Sequence, residues 1–186
     1  MFQEMIEKKY LKKYKHAPAH LFLDSTPYFI TAGTYLKQHF FTSPQKKKML
    51  FVTIQEIFQK NLTELLAWVI LSNHYHLLIN LKDPVLLPEI IKKIHSKSAV
   101  ELNKEDKKVG RKIWQNYWDR CIRDEKDYYS KLNYVHFNPV KHGYTEDPSE
   151  YRFSSYGFYL KKLGNERFER MMTECPVDQQ DERDDY

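Results

Sequence analysis

Two histidines and a tyrosine–asparagine pair are the residues of this chain whose types and spacing can do chemistry. His74 and His76 sit two positions apart in a β-prone run, Asn73-His74-Tyr75-His76-Leu77-Leu78-Ile79. On a strand, positions i and i+2 point the same way, with Cα atoms about 6.5 to 7 Å apart. Two imidazoles at that separation can converge on one metal ion, and neutral imidazole is the ordinary form near pH 7. The same alternation sends Tyr75, Leu77 and Ile79 to the opposite face, toward a core. Taken alone, a His-x-His pair is as readily structural as metal-binding.

Tyr134 and Asn138 are spaced i, i+4 in a segment with helical character, so they share one face of a helix, one turn apart. A tyrosine hydroxyl is a weak nucleophile at its unperturbed pKa of about 10. It becomes useful in phosphoryl transfer when a metal polarises the phosphate and neutralises developing charge. An asparagine carboxamide oxygen one turn away can supply a third metal ligand. The plainer reading makes Tyr134 a surface aromatic and Asn138 the residue that ends the helix before Pro139.

The elements that must position these groups are legible in outline. Tyr28-Phe29-Ile30-Thr31 predicts a first strand. Ser43-Pro44 predicts a helix start, with serine as N-cap and proline at the first position. That helix extends to about Lys60, with Met49, Val52, Ile54, Ile57 and Phe58 at helical spacing. Ala67 to Leu71 and Leu77 to Ile79 are two apolar runs, predicting a hairpin with its turn near Ser72-Asn73 and its second strand starting at His74. Asp83-Pro84 punctuates its end. Leu87 to Leu102 returns to helical spacing through Ile90, Ile91, Ile94 and Val100. Lys104 to Lys112 is a charged connector containing Gly110. Ile113 to Ile122 predicts a further strand. Asp124 caps a last helix that runs through Tyr128, Leu132 and Val135 and is expected to stop at Pro139. Gly143 and Pro148 mark loops beyond. The order predicts an α+β, ferredoxin-like (RRM-like) sandwich, an antiparallel sheet with helices packed on one face.

The 186 residues suit one domain: a basic N-terminal arm over 1–26, a domain over 27–160 and a C-terminal extension over 161–186. The arm reads as helical or frayed, with Lys8, Lys9, Lys12, Lys13 and Lys15. No repeat and no Gly/Ser-rich linker interrupts the chain. The net charge of +5 understates the basic character. Residues 174–186 carry six acids and one arginine, a net of −5, which leaves +10 on residues 1–173. A Lys/Arg excess of that size favours a polyanionic partner, since each neutralised phosphate releases counterions. The acidic tail reads as disordered, and can compete with DNA for the basic face. Aromatics reach 15%, with 14 Tyr and 11 Phe, side chains able to stack on unpaired bases. The two cysteines, Cys121 and Cys175, exclude a disulfide framework and a Cys-rich zinc module. No apolar run approaches the roughly 20 residues of a membrane span, and no signal peptide opens the chain, so the expected location is cytoplasmic and nucleoid-associated.

Three segments occur in a telling order: Asn73-His74-Tyr75-His76, Trp114-Gln115-Asn116-Tyr117-Trp118-Asp119-Arg120, and Tyr134-Val135-His136-Phe137-Asn138-Pro139-Val140-Lys141-His142-Gly143. Together they resemble the HUH-type, single-domain tyrosine transposases of the IS200-like superfamily. The likeness is greatest to the group associated with repetitive extragenic palindromes (REP), and it spans roughly residues 28–156. The resemblance implies that His74 and His76 are metal ligands, Tyr134 the nucleophile and Asn138 the polar ligand on the same helix. Tyr75 stands where the family usually has a bulky hydrophobic residue, a mild departure. Members cleave single-stranded DNA near a hairpin, form a 5′-phosphotyrosine link, leave a free 3′-OH and reseal without water. Mg²⁺ or Mn²⁺ is the implied cofactor, since oxygen-rich phosphate sites suit hard cations.

DNA contacts are expected from Arg120, Arg123, Lys141 and His142, which flank the proposed centre, and from Lys46, Lys47 and Lys48 at a helix start. Each one alone is more readily a solvated surface charge than a specific contact. His16, His20, His39, His95 and His136 have no assigned role. Two other classes compete. A non-catalytic hairpin-binding module, a domesticated relative, would bind without cleaving. A hydrolase using His74, His76 and water would form no covalent adduct. The partner in the leading reading is hairpin-bearing single-stranded DNA, with no membrane, acted on by a monomer or a homodimer.

Overall fold

The computed structural model describes residues 26–164 together with Leu11, Lys12, His20, Leu21, Glu166, Phe168 and Thr173. Four strands form the central sheet: β1 (Tyr28–Thr34), β2 (Glu64–Ile70), β3 (His74–Asn80) and β4 (Trp114–Cys121). Helices α1 (Pro44–Lys60) and α2 (Leu87–Glu105) connect them, α3 (Glu125–Lys141) follows β4, and the short α4 (Tyr156–Leu163) comes last. The spatial order β2-β3-β1-β4 is antiparallel throughout. This is the ferredoxin-like βαββαβ arrangement, in agreement with the α+β expectation.

Local chemistry sets the element ends. Ser43 Oγ accepts from the Lys46 backbone N–H and Pro44 opens α1. Leu71 N donates to His74 O at 2.9 Å, closing the two-residue turn Ser72-Asn73 as the hairpin pattern predicts. Asp124 accepts from the Asp127 backbone N–H at the head of α3. One boundary differs from expectation. Pro139 does not stop α3, which continues to Lys141 with Pro139 inside it. A proline removes the bond its own N–H would have made and crowds the preceding turn, yet the last turn closes: His142 N donates to Asn138 O and Tyr144 N to Pro139 O. The extra turn keeps Lys141 on the same helix as Tyr134.

The two faces of the sheet carry different layers. Tyr28, Ile30, Ala32, Tyr75, Leu77 and Ile79 point to one face and pack with Leu50, Ile54, Ile90, Ile91 and Ile94 of α1 and α2. Tyr75, Leu77 and Ile79 thus face the core as alternation requires, while Val52 and Val100 end up exposed on their helices. On the other face, Phe29, Ala67, Val69 and Leu78 pack with Leu132, Tyr134 and Val135 of α3. The helical layer on one face is therefore α1 and α2, and the tyrosine helix takes the face to which His74 and His76 point.

Leu11–Lys12 pairs antiparallel with His20–Leu21, so these two positions of the arm form a β-ladder, not a helix. The rest of the proposed arm, with His16, lies outside the described residues, as do the acidic tail and Cys175. No helix among the described residues is long and apolar enough to cross a membrane.

His95, unassigned from sequence, is a packing residue. Its ring stacks on Trp114 at 4.5 Å, and its Nε2 shares a 2.9 Å hydrogen bond with the Tyr75 hydroxyl. Burial pushes its pKa down from 6.5 to about 3. Between those values the unfolded chain binds a proton that the folded chain refuses. This stability is full above the unfolded pKa and is lost as pH falls below it. Thermal unfolding followed from pH 7.5 to 4.5 is expected to show wild type losing stability below about pH 6.5, by upwards of about 1 kcal/mol per pH unit from this ring. His95→Gln is expected to remove this ring's share of that slope and leave the share of His136, whose pKa burial also lowers to about 3.

Candidate nuclease centre

Strand register places the candidate groups. In one rung across the sheet, Val69 pairs with His76, His76 with Thr31, and Thr31 with Trp118. Directly opposed residues on neighbouring strands share a face, so this row lies under or beside α3. His74 pairs with Gly33, one alternation further along β3.

His74 and His76 are buried, at 3% and 0% exposure, and their ring centroids lie 5.0 Å apart. His74 Nδ1 is 2.8 Å from Asn73 Oδ1, an acceptor, which assigns the ring proton to Nδ1. His76 Nδ1 is 2.9 Å from Thr31 Oγ1, and donation to that oxygen leaves its Nε2 lone pair available as well. This is the arrangement of a metal-binding imidazole, whose second nitrogen is held by an outer partner that fixes tautomer and ring angle.

Asn138 completes the set from α3. Its Oδ1 lies 3.1 Å from His74 Nε2, so with the His74 proton on Nδ1 two lone-pair-bearing atoms face one another. That arrangement is relieved by a cation, by a second ring proton, or by the opposite orientation of the amide. A separation near 3 Å is also that of adjacent ligands in an octahedron with bonds of about 2.1 Å. Asn138 is itself 1% exposed, and its Nδ2 finds no acceptor among the described residues. With its oxygen toward His74 the carboxamide can serve as a ligand, and turned over its Nδ2 donates to His74 Nε2. No cluster of three or more His, Cys, Asp or Glu forms among the described residues. The donor set is two imidazoles and one amide oxygen, neutral throughout, so a bound dication keeps its full charge for an anionic substrate. The residues present fit such an ion.

Tyr134 is 2% exposed, and its ring meets His76 edge-on at 5.0 Å and Phe29 at 5.7 Å. Two ammonium groups flank it. Lys141 Nζ lies 5.1 Å from the ring centroid, and Lys131, fully buried, places Nζ 5.8 Å from that centroid and 4.9 Å from Phe29. Positive charge thus stands close to the Tyr134 ring. His142 follows α3 and meets the His74 ring at 4.8 Å, at the edge of the same cluster.

The other predicted contacts are distributed differently. Arg120 and Arg123 both bind Asp127 at the start of α3, Arg120 Nη2 at 3.0 Å and Arg123 Nε at 3.1 Å. Burial acts to raise the Asp127 pKa, and the two arginines drawn to its carboxylate together outweigh it and leave the pKa lowered. Lys46 is engaged by Asp106 at 2.6 Å, while Lys48 is exposed. Lys47 turns inward: its Nζ donates to Tyr151 Oη at 2.7 Å and sits over the rings of Tyr144, Tyr151 and Phe153. Burial lowers its pKa. Lys47 thus braces the loop after α3 and is not presented to a ligand, a contact that one-dimensional charge clustering cannot distinguish from its neighbours. Lys47→Ala is expected to cost about 2 kcal/mol in chemical denaturation, from lost packing and a hydroxyl left without its donor, and to leave DNA affinity unchanged.

Sequence reasoning missed Thr31, Asn73 as an outer partner of His74, and Lys131. Lys131 carried a signal, lying three residues before Tyr134 and so on its helical face. Thr31 carried none, because its position beside His76 depends on strand pairing. Of the unassigned histidines, His39 bonds Ser72 through its Nδ1, and His136 is buried against Ser155, Tyr156 and Phe168.

The family described as IS200-like transposase matches residues 23–136, more than half of the chain. The chain belongs to the IS200-like transposase family. Within it, the chain is similar to the REP-associated tyrosine transposase of Escherichia coli K12, with 30% identity over 141 residues, 69% of this chain and 79% of that protein. A Haemophilus influenzae protein carrying the same designation provisionally is 34% identical over 104 residues, 50% of this chain; the match spans 58% of that relative's length. Among solved structures, a REP-associated tyrosine transposase bound to a REP hairpin superposes with a TM-score of 0.64 at 23% identity, covering 82% of this chain and 87% of that one. At that identity the superposition speaks for the fold this IS200-like transposase adopts.

Proposed function

We propose that this transposase-family protein is a metal-dependent enzyme that cleaves single-stranded DNA at hairpin sequences and transfers the cut strand through a 5′-phosphotyrosine on Tyr134. The observation that carries this reading is the meeting, on one sheet face of a single chain, of the Tyr134 ring with His76 at 5.0 Å and of His74 Nε2 with Asn138 Oδ1 at 3.1 Å. A nucleophile and a donor set brought together by a helix and a strand far apart in sequence make a reaction centre. The hairpin substrate is taken from the solved relative bound to a REP hairpin.

His74, His76 and Asn138 would hold a divalent cation, Mg²⁺ or Mn²⁺, which supplies Lewis-acid polarisation of the scissile phosphate. Tyr134 Oη gives up its proton and attacks phosphorus. The bond from phosphorus to the 3′-oxygen breaks, and that oxygen leaves as a 3′-OH after taking up a proton. One phosphodiester replaces another, so little bond energy is lost and a second 3′-OH can reverse the step on a new strand. Lys131 and Lys141 stabilise the charge that develops on the attacking oxygen and the phosphate. Burial of Tyr134 against Phe29 and His76 limits the water that would otherwise compete for the link. All four groups come from one chain, so a monomer suffices for this chemistry.

The test uses oligonucleotides carrying a hairpin and a 3′-side label, incubated with Mg²⁺ or Mn²⁺ or with chelator. A denaturation-resistant protein–DNA band that needs metal, with the modified peptide mapping to Tyr134, is the expected result. Binding of several palindromic substrates without any such band would replace this reading with the non-catalytic hairpin-binding module. Metal-dependent cleavage with no adduct would favour water as nucleophile.

A further inference from the structure

The tryptophan-rich segment on β4 has no part in the chemistry above, although it borders it. β4 is an edge strand, bonded only to β1 within the central sheet. Trp118 pairs with Thr31, which pairs with His76, so the indole stands on the His76 face two strand spacings away, about 10 Å. Among the described residues, α3 lies over β2 and β3 on that face, and the β4 side of the centre is less covered. Trp118 there is 47% exposed, whereas Trp114 on the same strand is 7% exposed and packs against Phe41 and Tyr75. The His20–Leu21 strand lies against β4, and the exposure of Trp118 is what remains with that neighbour in place. Arg120, two residues on and pairing with Phe29, points to the same face.

A large aromatic half open to solvent contributes little to folding through its exposed part, but offers a flat apolar surface beside a phosphate-handling centre. Bases stack on such surfaces whatever their identity. We infer that Trp118 is a stacking platform for one unpaired nucleotide that flanks the hairpin next to the scissile phosphate. This deepens the proposed function and rests on its assignment of the substrate as single-stranded DNA. The indole would hold the flank in line with Tyr134, while the paired stem is gripped elsewhere. Trp118 is then a DNA-binding and positioning residue with no part in bond making.

The experiment measures binding in chelator, so that it reads independently of cleavage. Wild type, Trp118→Ala and Trp118→Phe are titrated with a hairpin bearing a single-stranded flank, with the same hairpin lacking the flank, and with flanks carrying one abasic site moved position by position. Trp118→Ala is expected to bind the flanked hairpin about ten-fold more weakly and the bare hairpin as wild type does. At one flank position the abasic site should cost wild type the same factor and cost Trp118→Ala nothing further. Trp118→Phe, which keeps a ring, should retain most of the affinity but lose the tryptophan quenching that wild type shows on binding. Equal affinity of Trp118→Ala and wild type for the flanked hairpin would overturn the inference. So would an equal loss on bare and flanked hairpins, or abasic effects that add to Trp118→Ala at every position. A protein that forms no covalent adduct yet shows this flank-specific pattern would refute the cleavage reading and leave the platform standing.

Discussion

Tyr134→Phe is expected to abolish the covalent protein–DNA adduct and strand transfer, a loss of at least about 10³-fold, while hairpin affinity stays near that of wild type. The size follows from the role. Without Oη no atom is left to form the phosphodiester, and neither histidine is placed to substitute as a nucleophile if both hold a metal. The variant is also structurally mild. Phenylalanine keeps the edge contacts with His76 at 5.0 Å and Phe29 at 5.7 Å and the cations of Lys131 and Lys141 near the ring. A change in stability of no more than about 1 kcal/mol is expected, the scale of one hydrogen bond. The measurement is adduct yield with a labelled hairpin substrate, together with thermal unfolding of both proteins. An adduct formed at the wild-type level by Tyr134→Phe would remove Tyr134 from the mechanism.

The second large effect concerns the donor set. His74→Ala is expected to weaken Mn²⁺ binding by at least about 100-fold, read by calorimetric titration, and to reduce adduct formation in step. Hairpin affinity in chelator should persist. His74 is the better choice than His76 because His76 is also a core ring, stacked on Phe29 and edge-on to Tyr134, so its removal would leave a cavity whose cost blurs the reading. Thr31→Val gives a graded companion. It keeps the shape of the strand, removes the oxygen beside His76 Nδ1, and is expected to weaken metal affinity by roughly 10- to 100-fold, the usual cost of losing an outer partner. Metal binding by His74→Ala equal to wild type would dismiss the site.

Much of the centre was legible because it rests on local periodicity. Alternation along a strand puts His74 and His76 on one face and Tyr75, Leu77 and Ile79 on the other, and the helical repeat puts Tyr134 and Asn138 one turn apart. These relations follow from backbone geometry over a few residues, so the sequence alone determined them. It also determined the two-residue turn before His74, the Ser43 and Asp124 caps, and the βαββαβ order.

What only the tertiary structure decided are the relations between elements distant in the chain. That α3 lies on the histidine face, with Asn138 turned to His74 across a sequence separation of 64, depends on which sheet surface is left after α1 and α2 cover the other. That Thr31 orients His76, and that Trp118 stands in the same rung, depends on β1 inserting between β3 and β4. That Lys47 is caged by aromatic rings while Lys48 is exposed, and that Arg120 and Arg123 share Asp127, depends on side-chain packing in three dimensions. Proline at position 139 carried a local penalty against helix, and the bonds made by His142 and Tyr144 to the last turn outweighed it. Register and packing are fixed by the burial of the whole sheet at once, and no window of neighbouring residues contains that information.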